Sequence, residues 1–183
     1  MAEPLPFPDP PLAGRGFVLR PYRAEDVAPY AVAVADPSSA RWLNNYATGD
    51  PDEDVRTVEA ERVAGRMLVL TIADAETDAY LGMIALIAHQ HGTGELAYLV
   101  VPEARGRNLA RLALQALGDW AFAELGLGRL QVQIDPENAA SHAVAQRAGY
   151  QREGLLRASF VLHGEPKDCV IYSRLPSDPA PGS

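Results

Sequence analysis

The sequence predicts an α/β (α+β) fold: a mixed sheet with helices packed on its faces. Three features lead to this. Apolar, β-rich runs at 67–73, 80–89 and 95–101 follow one another with only short polar turns between them. A helical repeat of apolar residues then covers about 107–125, and a second, alanine-rich helix follows a short strand. The resulting order, β-α-α-β-β-β-α-β-α-β-β, lacks the regular strand–helix alternation of a doubly wound sheet.

Each element has its own local signal. Residues 17–21 read as the first strand, and 24–35 as a helix followed by a loop carrying Trp42. Pro51, three acids in the next turn and arginines near 66 punctuate a helix over 51–67, matching the helix dipole at both ends. The three central strands are separated by turns at 74–78 and 92–94. Leu109, Leu112, Ala113, Ala116, Leu117, Trp120 and Ala121 recur at three- and four-residue spacing, and Gly126 and Gly128 end that helix. Residues 130–134 form a short strand, 138–148 a helix ended by Gly149, and 150–160 and 168–175 the last strands. Five of the 15 prolines fall in residues 1–16 and three in the last eight. Residues 1–16 are therefore expected as a Pro-rich arm and 176–183 as a flexible tail, around one domain at 17–175.

Composition narrows the function. Sixteen Lys+Arg against 24 Asp+Glu give a formal charge of −8 over 183 residues, the reverse of a general nucleic-acid footprint. That field would draw in a cationic substrate. A single cysteine, Cys169, excludes an intramolecular disulfide and a cysteine-based zinc site. No apolar run has the length of a membrane span, and the N-terminus lacks a secretory pattern, so a cytoplasmic protein is expected.

The segment 95–111 is the richest in chemistry. An apolar strand ends at Val101, and a turn through Arg105, Gly106, Arg107 and Asn108 opens a helix at Leu109 and Ala110. Such a junction presents free amide N–H groups and a positive helix end to one point, and Arg105, Arg107 and Arg111 add cations. It reads as a diphosphate cradle; the alternative is a surface turn solvated by its arginines.

These residues resemble the GNAT superfamily of acetyl-CoA-dependent N-acyltransferases, whose diphosphate motif is Gln/Arg-x-x-Gly-x-Gly/Ala. Arg105 and Ala110 match its ends, while Asn108 replaces a glycine; asparagine is the non-glycine residue that best tolerates positive φ. Asn138-Ala139-Ala140-Ser141 followed by Ala148-Gly149-Tyr150, about 30 residues after that loop, resembles the ribosomal-protein serine/alanine N-terminal acetyltransferase group. So do Leu19-Arg20-Pro21 and the closing strands around Gly154 and Ile171. The resemblance covers roughly 17–175. It implies a mostly antiparallel sheet splayed at the fourth strand to admit the cofactor, and acetyl-CoA as donor with coenzyme A as product. Backbone amides near Leu99, Val100 and Val101 would orient the thioester arm. Those from Arg105 to Ala110 would hold the diphosphate, and Asn138 would bond the pantetheine. Ser141, one turn on, would serve as the acid beside sulfur, since Ala145 stands where many relatives carry a tyrosine.

Glu95 is the candidate base, since a carboxylate on a mostly apolar strand suits that role; the alternative is a solvated residue after the 92–94 turn. Some ribosomal-type relatives place a glutamate six residues past Gly154, where this chain has Phe160. Trp42, Tyr46, Tyr98 and His163 are candidate acceptor contacts, and His142 reads as facing outward. His89 and His91 flank Gln90 in a hairpin, too few ligands for a metal site, and no metal is expected. Six acids against one arginine over 50–61 read as a wet helix face or as steering for an amine. The acceptor is then a primary amine, a protein or peptide N-terminus first and a small-molecule amine such as an antibiotic or polyamine second. A non-catalytic acyl-CoA sensor would need the cradle alone. Family members often form homodimers, and the residues decide nothing there.

Overall fold

The structure is a computed structural model that describes residues 3–44 and 46–179. Its strands are β1 (Leu12–Gly14), β2 (Phe17–Pro21), β3 (Met67–Asp74), β4 (Tyr80–His89), β5 (Thr93–Val100), β6 (Arg129–Ile134), β7 (Gln151–Leu162) and β8 (Glu165–Arg174). Its helices are α1 (Ala24–Ala35), α2 (Pro37–Ala40), α3 (Pro51–Val63), α4 (Leu109–Glu124) and α5 (Ala139–Arg147). The strands form one sheet in the order β1-β2-β3-β4-β5-β6-β8-β7, antiparallel throughout except between β5 and β6. This is the predicted mixed, mostly antiparallel sheet flanked by helices.

The exception shapes the molecule. β5 and β6 pair only at Thr93–Arg129, Gly94–Leu130 and Glu95–Gln131. Beyond that point β5 stays with β4 as far as Val100, and β6 stays with β8 as far as Ile134, so the two strands diverge. The sheet opens at the strand where the splay was expected, which is fifth in the chain because of β1.

Helix α4 covers one face. It buries Leu109, Ala113, Leu114, Leu117 and Ala121 against Leu86, Leu96 and Leu130, as the three- and four-residue spacing dictates. Gly118 allows close approach: a Cβ there would lie 3.3 Å from the Tyr150 hydroxyl and 3.4 Å from Leu130 Cδ1. On the other face, Ala33 and Val34 of α1 pack with Leu99. A buried pair fixes α1 to the sheet: Arg20 on β2 donates to both carboxylate oxygens of Asp26 at 2.8 and 3.0 Å, and Thr71 adds a third bond at 2.7 Å. Helix α3 starts at Pro51 as expected, and Asp50 caps it by accepting from the amides of Asp52 and Glu53.

The N-terminal segment differs from the expected arm. Leu12–Gly14 forms an edge strand on β2, and Leu5 and Leu12 pack against the core. Leu5 is held at both ends of its peptide unit, its N–H on the Arg62 carbonyl at 3.0 Å and its carbonyl on Arg62 Nη1 at 2.6 Å. The Arg62 guanidinium also lies over the Phe7 ring at 4.5 Å. Prolines cannot donate to a ladder, but an edge strand tolerates them nearby, and the leucines between them still gain by burial. Residues 176–179 carry no strand or helix, and 180–183 lie outside the described residues.

Replacing Leu117, fully buried on the inner face of α4, by alanine should cost about 2–5 kcal/mol. Urea unfolding measures it; a loss under about 1 kcal/mol would mean that α4 does not wedge the core.

Candidate active site

A cleft of about 430 Å³ runs through the opening between β5 and β6. Because side chains alternate along a strand, its two sides draw on opposite faces of β5. Leu96, Tyr98 and Val100 join the core beneath α4, and Leu99 joins the smaller cluster with α1.

Glu95 sits at the fork, on the last ladder pair. Its Oε2 accepts from Gln131 Nε2 at 3.0 Å and Gln133 Nε2 at 2.8 Å. The apolar strand surroundings expected from sequence are therefore replaced by two amide donors. Gln133 lies beyond the last paired residue, so its bond bridges the opening. Its amide orientation is set from behind: the Cys169 thiol donates to Gln133 Oε1 at 3.3 Å, which leaves Nε2 to donate to Glu95. Sequence reasoning missed both glutamines. Their signal was the alternation over 129–134, where Leu130, Val132 and Ile134 are buried and the intervening glutamines face the other way.

The turn before α4 bends through two left-handed residues. Asn108 adopts the left-handed conformation at φ +62°, and Gly106 has φ +78°. No side chain caps α4, so the N–H groups of its first turn lack the partner a cap would give. A Cβ added to Gly106 would meet nothing within 4 Å, so the turn faces open space. Arg105, Gly106, Asn108, Leu109, Ala110 and Arg111 all line the cleft. Arg147 at the end of α5 joins them, a cation that sequence reading did not select. These donors and cations fit a diphosphate.

The Arg107 side chain, assigned to the cradle, and Val101, assigned to the thioester arm, lie elsewhere. Arg107 does not line the cleft; it reaches Asp74 at 3.4 Å, because the turn carries its side chain toward the end of β3. Val101 is also absent from the lining, and its N–H is taken by the Leu81 carbonyl at 3.0 Å. Arg105 has a second part: Nη1 and Nη2 donate to Ser38 and Ser39 of α2 at 2.6 and 2.7 Å, and Nε to the Val100 carbonyl at 3.2 Å. It ties the roof of the cleft to the end of β5.

On the α5 side, Asn138 caps its helix by accepting from the Ser141 amide at 3.1 Å. That bond uses the carbonyl oxygen of the side chain and leaves its NH₂ group for a ligand. Both residues line the cleft. Tyr98 Oη is buried without a hydrogen-bond partner. Burial pushes its phenol up to about 12, and the nearby Ser141 hydroxyl opposes the shift without forming a well-aligned bond.

Trp42, Leu43 and Phe160 add apolar lining to the same cleft. Phe160 thus reaches the cleft at the position where a glutamate base would have stood. Tyr46 lies outside it and is 76% exposed. His163 is outside as well; at the tip of the β7–β8 hairpin, its Nε2 donates to the Ala40 carbonyl at 2.7 Å, and its N–H donates to Asn44. It fastens the roof instead of lining the acceptor space. His142 stays out of the cleft lining, as expected, but packs onto Tyr172 Oη at 3.1 Å and so does not face freely outward. Among the described residues no group of three or more His, Cys, Asp or Glu could hold a metal, and no helix is long and apolar enough to cross a membrane.

The profile of the "Acetyltransferase (GNAT) domain" matches residues 17–151, most of the chain. The chain belongs to the GNAT acetyltransferases. A similar curated protein is the uncharacterized N-acetyltransferase p20 of Bacillus licheniformis, 26% identical over 87% of this chain and 92% of its own. Spermidine N(1)-acetyltransferase of Escherichia coli is 28% identical over 49% of each chain. Among solved structures, RimJ of Mycobacterium smegmatis in complex with CoA-disulfide superposes with a TM-score of 0.78. It is 24% identical, over 87% of this chain and 82% of that one.

The left-handed turn is testable by itself. Asn108→Gly should bind coenzyme A within about twofold of the parent. Asn108→Val, whose branched side chain pays about 1–2 kcal/mol in that conformation, should bind about tenfold more weakly. Calorimetry decides; equal affinity for the valine variant would mean that this turn is not the cradle.

Proposed function

We propose that this GNAT acetyltransferase moves the acetyl group of acetyl-CoA directly to the N-terminal amine of a protein or peptide. The observation that carries the reading is the lining of the cleft: Glu95 and Asp135 are its acids, and Trp42, Leu43 and Phe160 are among its apolar residues. That lining suits one amine followed by a small or apolar side chain better than a chain of ammonium groups. The resemblance of the Asn138–Ser141 motif to the ribosomal-protein N-terminal acetyltransferase group supports it. Spermidine N(1)-acetyltransferase, similar over half its length, favours a second reading, a polyamine guided in by the net charge of −8.

Acetyl-CoA supplies an activated acetyl thioester. The first-turn amides of α4, with Arg111 and Arg147, hold the diphosphate by charge and unpaired N–H groups. The Asn138 NH₂ group bonds the pantetheine, and the backbone near Leu99 and Val100 steers the arm into the opening. Glu95 takes a proton from the amine, its carboxylate held in place by the two glutamine amides. The Ser141 hydroxyl donates a hydrogen bond to the departing sulfur; serine is a poor acid, but a thiolate is a good leaving group and needs little help. Cys169 is fully buried behind Gln133, with its thiol pushed up chiefly by burial, which supports direct transfer over an acetyl-cysteine intermediate.

Thiol release from acetyl-CoA, followed with N-terminal peptides, polyamines and aminoglycosides, tests the acceptor. Peptides should give the highest kcat/KM, and Glu95→Gln should lower kcat about 10²–10⁴-fold with acetyl-CoA affinity retained. Faster turnover of polyamines would replace the peptide reading. Full activity of the Glu95 variant would remove the base.

A further inference from the structure

We propose that His89 is the proton outlet of the active site, taking the amine's proton from Glu95 and delivering it to solvent. This rests on the reading of Glu95 as the base. His89 ends β4, and Glu95 lies on β5 diagonally across the ladder, since His89 pairs with Thr93 and Ile87 with Glu95. Residues two apart share a face, so the two side chains meet. His89 Nε2 lies 3.7 Å from Glu95 Oε2. Among the described residues it is the only ionisable side chain paired with that carboxylate; the other two contacts are the amides of Gln131 and Gln133.

The exposures give the direction. The Glu95 side chain is 18% exposed and lines the cleft, whereas that of His89 is 42% exposed and does not line it. With cofactor and acceptor both seated, the cleft is filled, and a proton on Glu95 needs a path that does not cross it. The imidazole is that path. The balance is simple. An N–H bond of the amine breaks as an O–H bond forms on Glu95. That O–H then breaks as Nε2–H forms on the neutral imidazole, and the imidazolium releases its proton to water or buffer. The 3.7 Å separation exceeds a hydrogen bond and closes with a small turn of the exposed ring.

The surrounding charges leave this pair to itself. Arg129, on the strand beside Glu95, is engaged by Glu153 at 2.6 and 2.7 Å. Arg66, which precedes β3, is engaged by Glu61. His91 occupies the hairpin turn, and the Cys169 thiol is directed at Gln133.

The test is thiol release in dilute, non-imidazole buffer near neutral pH, with the fastest acceptor of the peptide, polyamine and aminoglycoside panel. His89→Gln should lower kcat about tenfold, less than the 10²–10⁴ expected for Glu95→Gln, with the KM for acetyl-CoA unchanged. His89→Ala should be slowed similarly and restored by added imidazole, which should leave the parent unaffected. Slow His89 variants that ignore imidazole would overturn the proposal in favour of a structural role. His89 variants at full rate beside a crippled Glu95→Gln would overturn it alone, with Glu95 discharging directly to water. Full activity of Glu95→Gln, or silence of the parent across the panel, would remove the base reading and the outlet with it.

Discussion

The site depends on the parting of β5 from β6 after the Glu95–Gln131 pair. Two parallel strands that stop pairing leave backbone N–H and C=O groups facing a gap, and such groups must find partners. The gap is therefore a place where an extended, amide-bearing ligand can lie as an extra strand. Its apex is closed by side chains, Gln131 and Gln133 of β6 both donating to Glu95 of β5. The same bonds that hold the fork also orient the one carboxylate at its base. Fold and chemistry meet in that residue, and Cys169 on β8 supports it through Gln133.

The roof over the fork is assembled differently. Residues 37–44 are tied on three sides: by Arg105 to Ser38 and Ser39, by Arg41 to Glu137, and by Asn44 and His163 to the β7–β8 hairpin. Most of these ties are exposed, and exposed polar pairs contribute about 0–1 kcal/mol each. The floor, by contrast, is core: Leu96, Leu114 and Leu130 are 2% exposed or less. A rigid floor beneath a lightly fastened roof suits a cleft that admits a long cofactor from one side and an amine from the other.

Much of this was legible in the residues. Helices α4 and α5 followed from spacing and glycine stops, and the left-handed Asn108 from the one residue type besides glycine that accepts it readily. Three kinds of feature were hidden. Strand β1 lies among prolines, which speak for an arm until β2 offers an edge. The turned-away Arg107 and the engaged Val101 amide depend on partners 33 and 20 residues distant, which local pattern does not encode. His163 was placed near the cleft correctly in the chain but wrongly in role, because hairpin tips are positioned by tertiary contact. Gln131 and Gln133 could have been found, since alternation already set them opposite the buried strand face.

The most direct test of the central claim is the structure of the complex with coenzyme A. The account predicts the diphosphate on the amides of residues 106–110 and the pantetheine arm in the opening between β5 and β6, bonded to Asn138. Coenzyme A bound outside that opening, or a ladder zipped shut past Glu95 and Gln131, would contradict it.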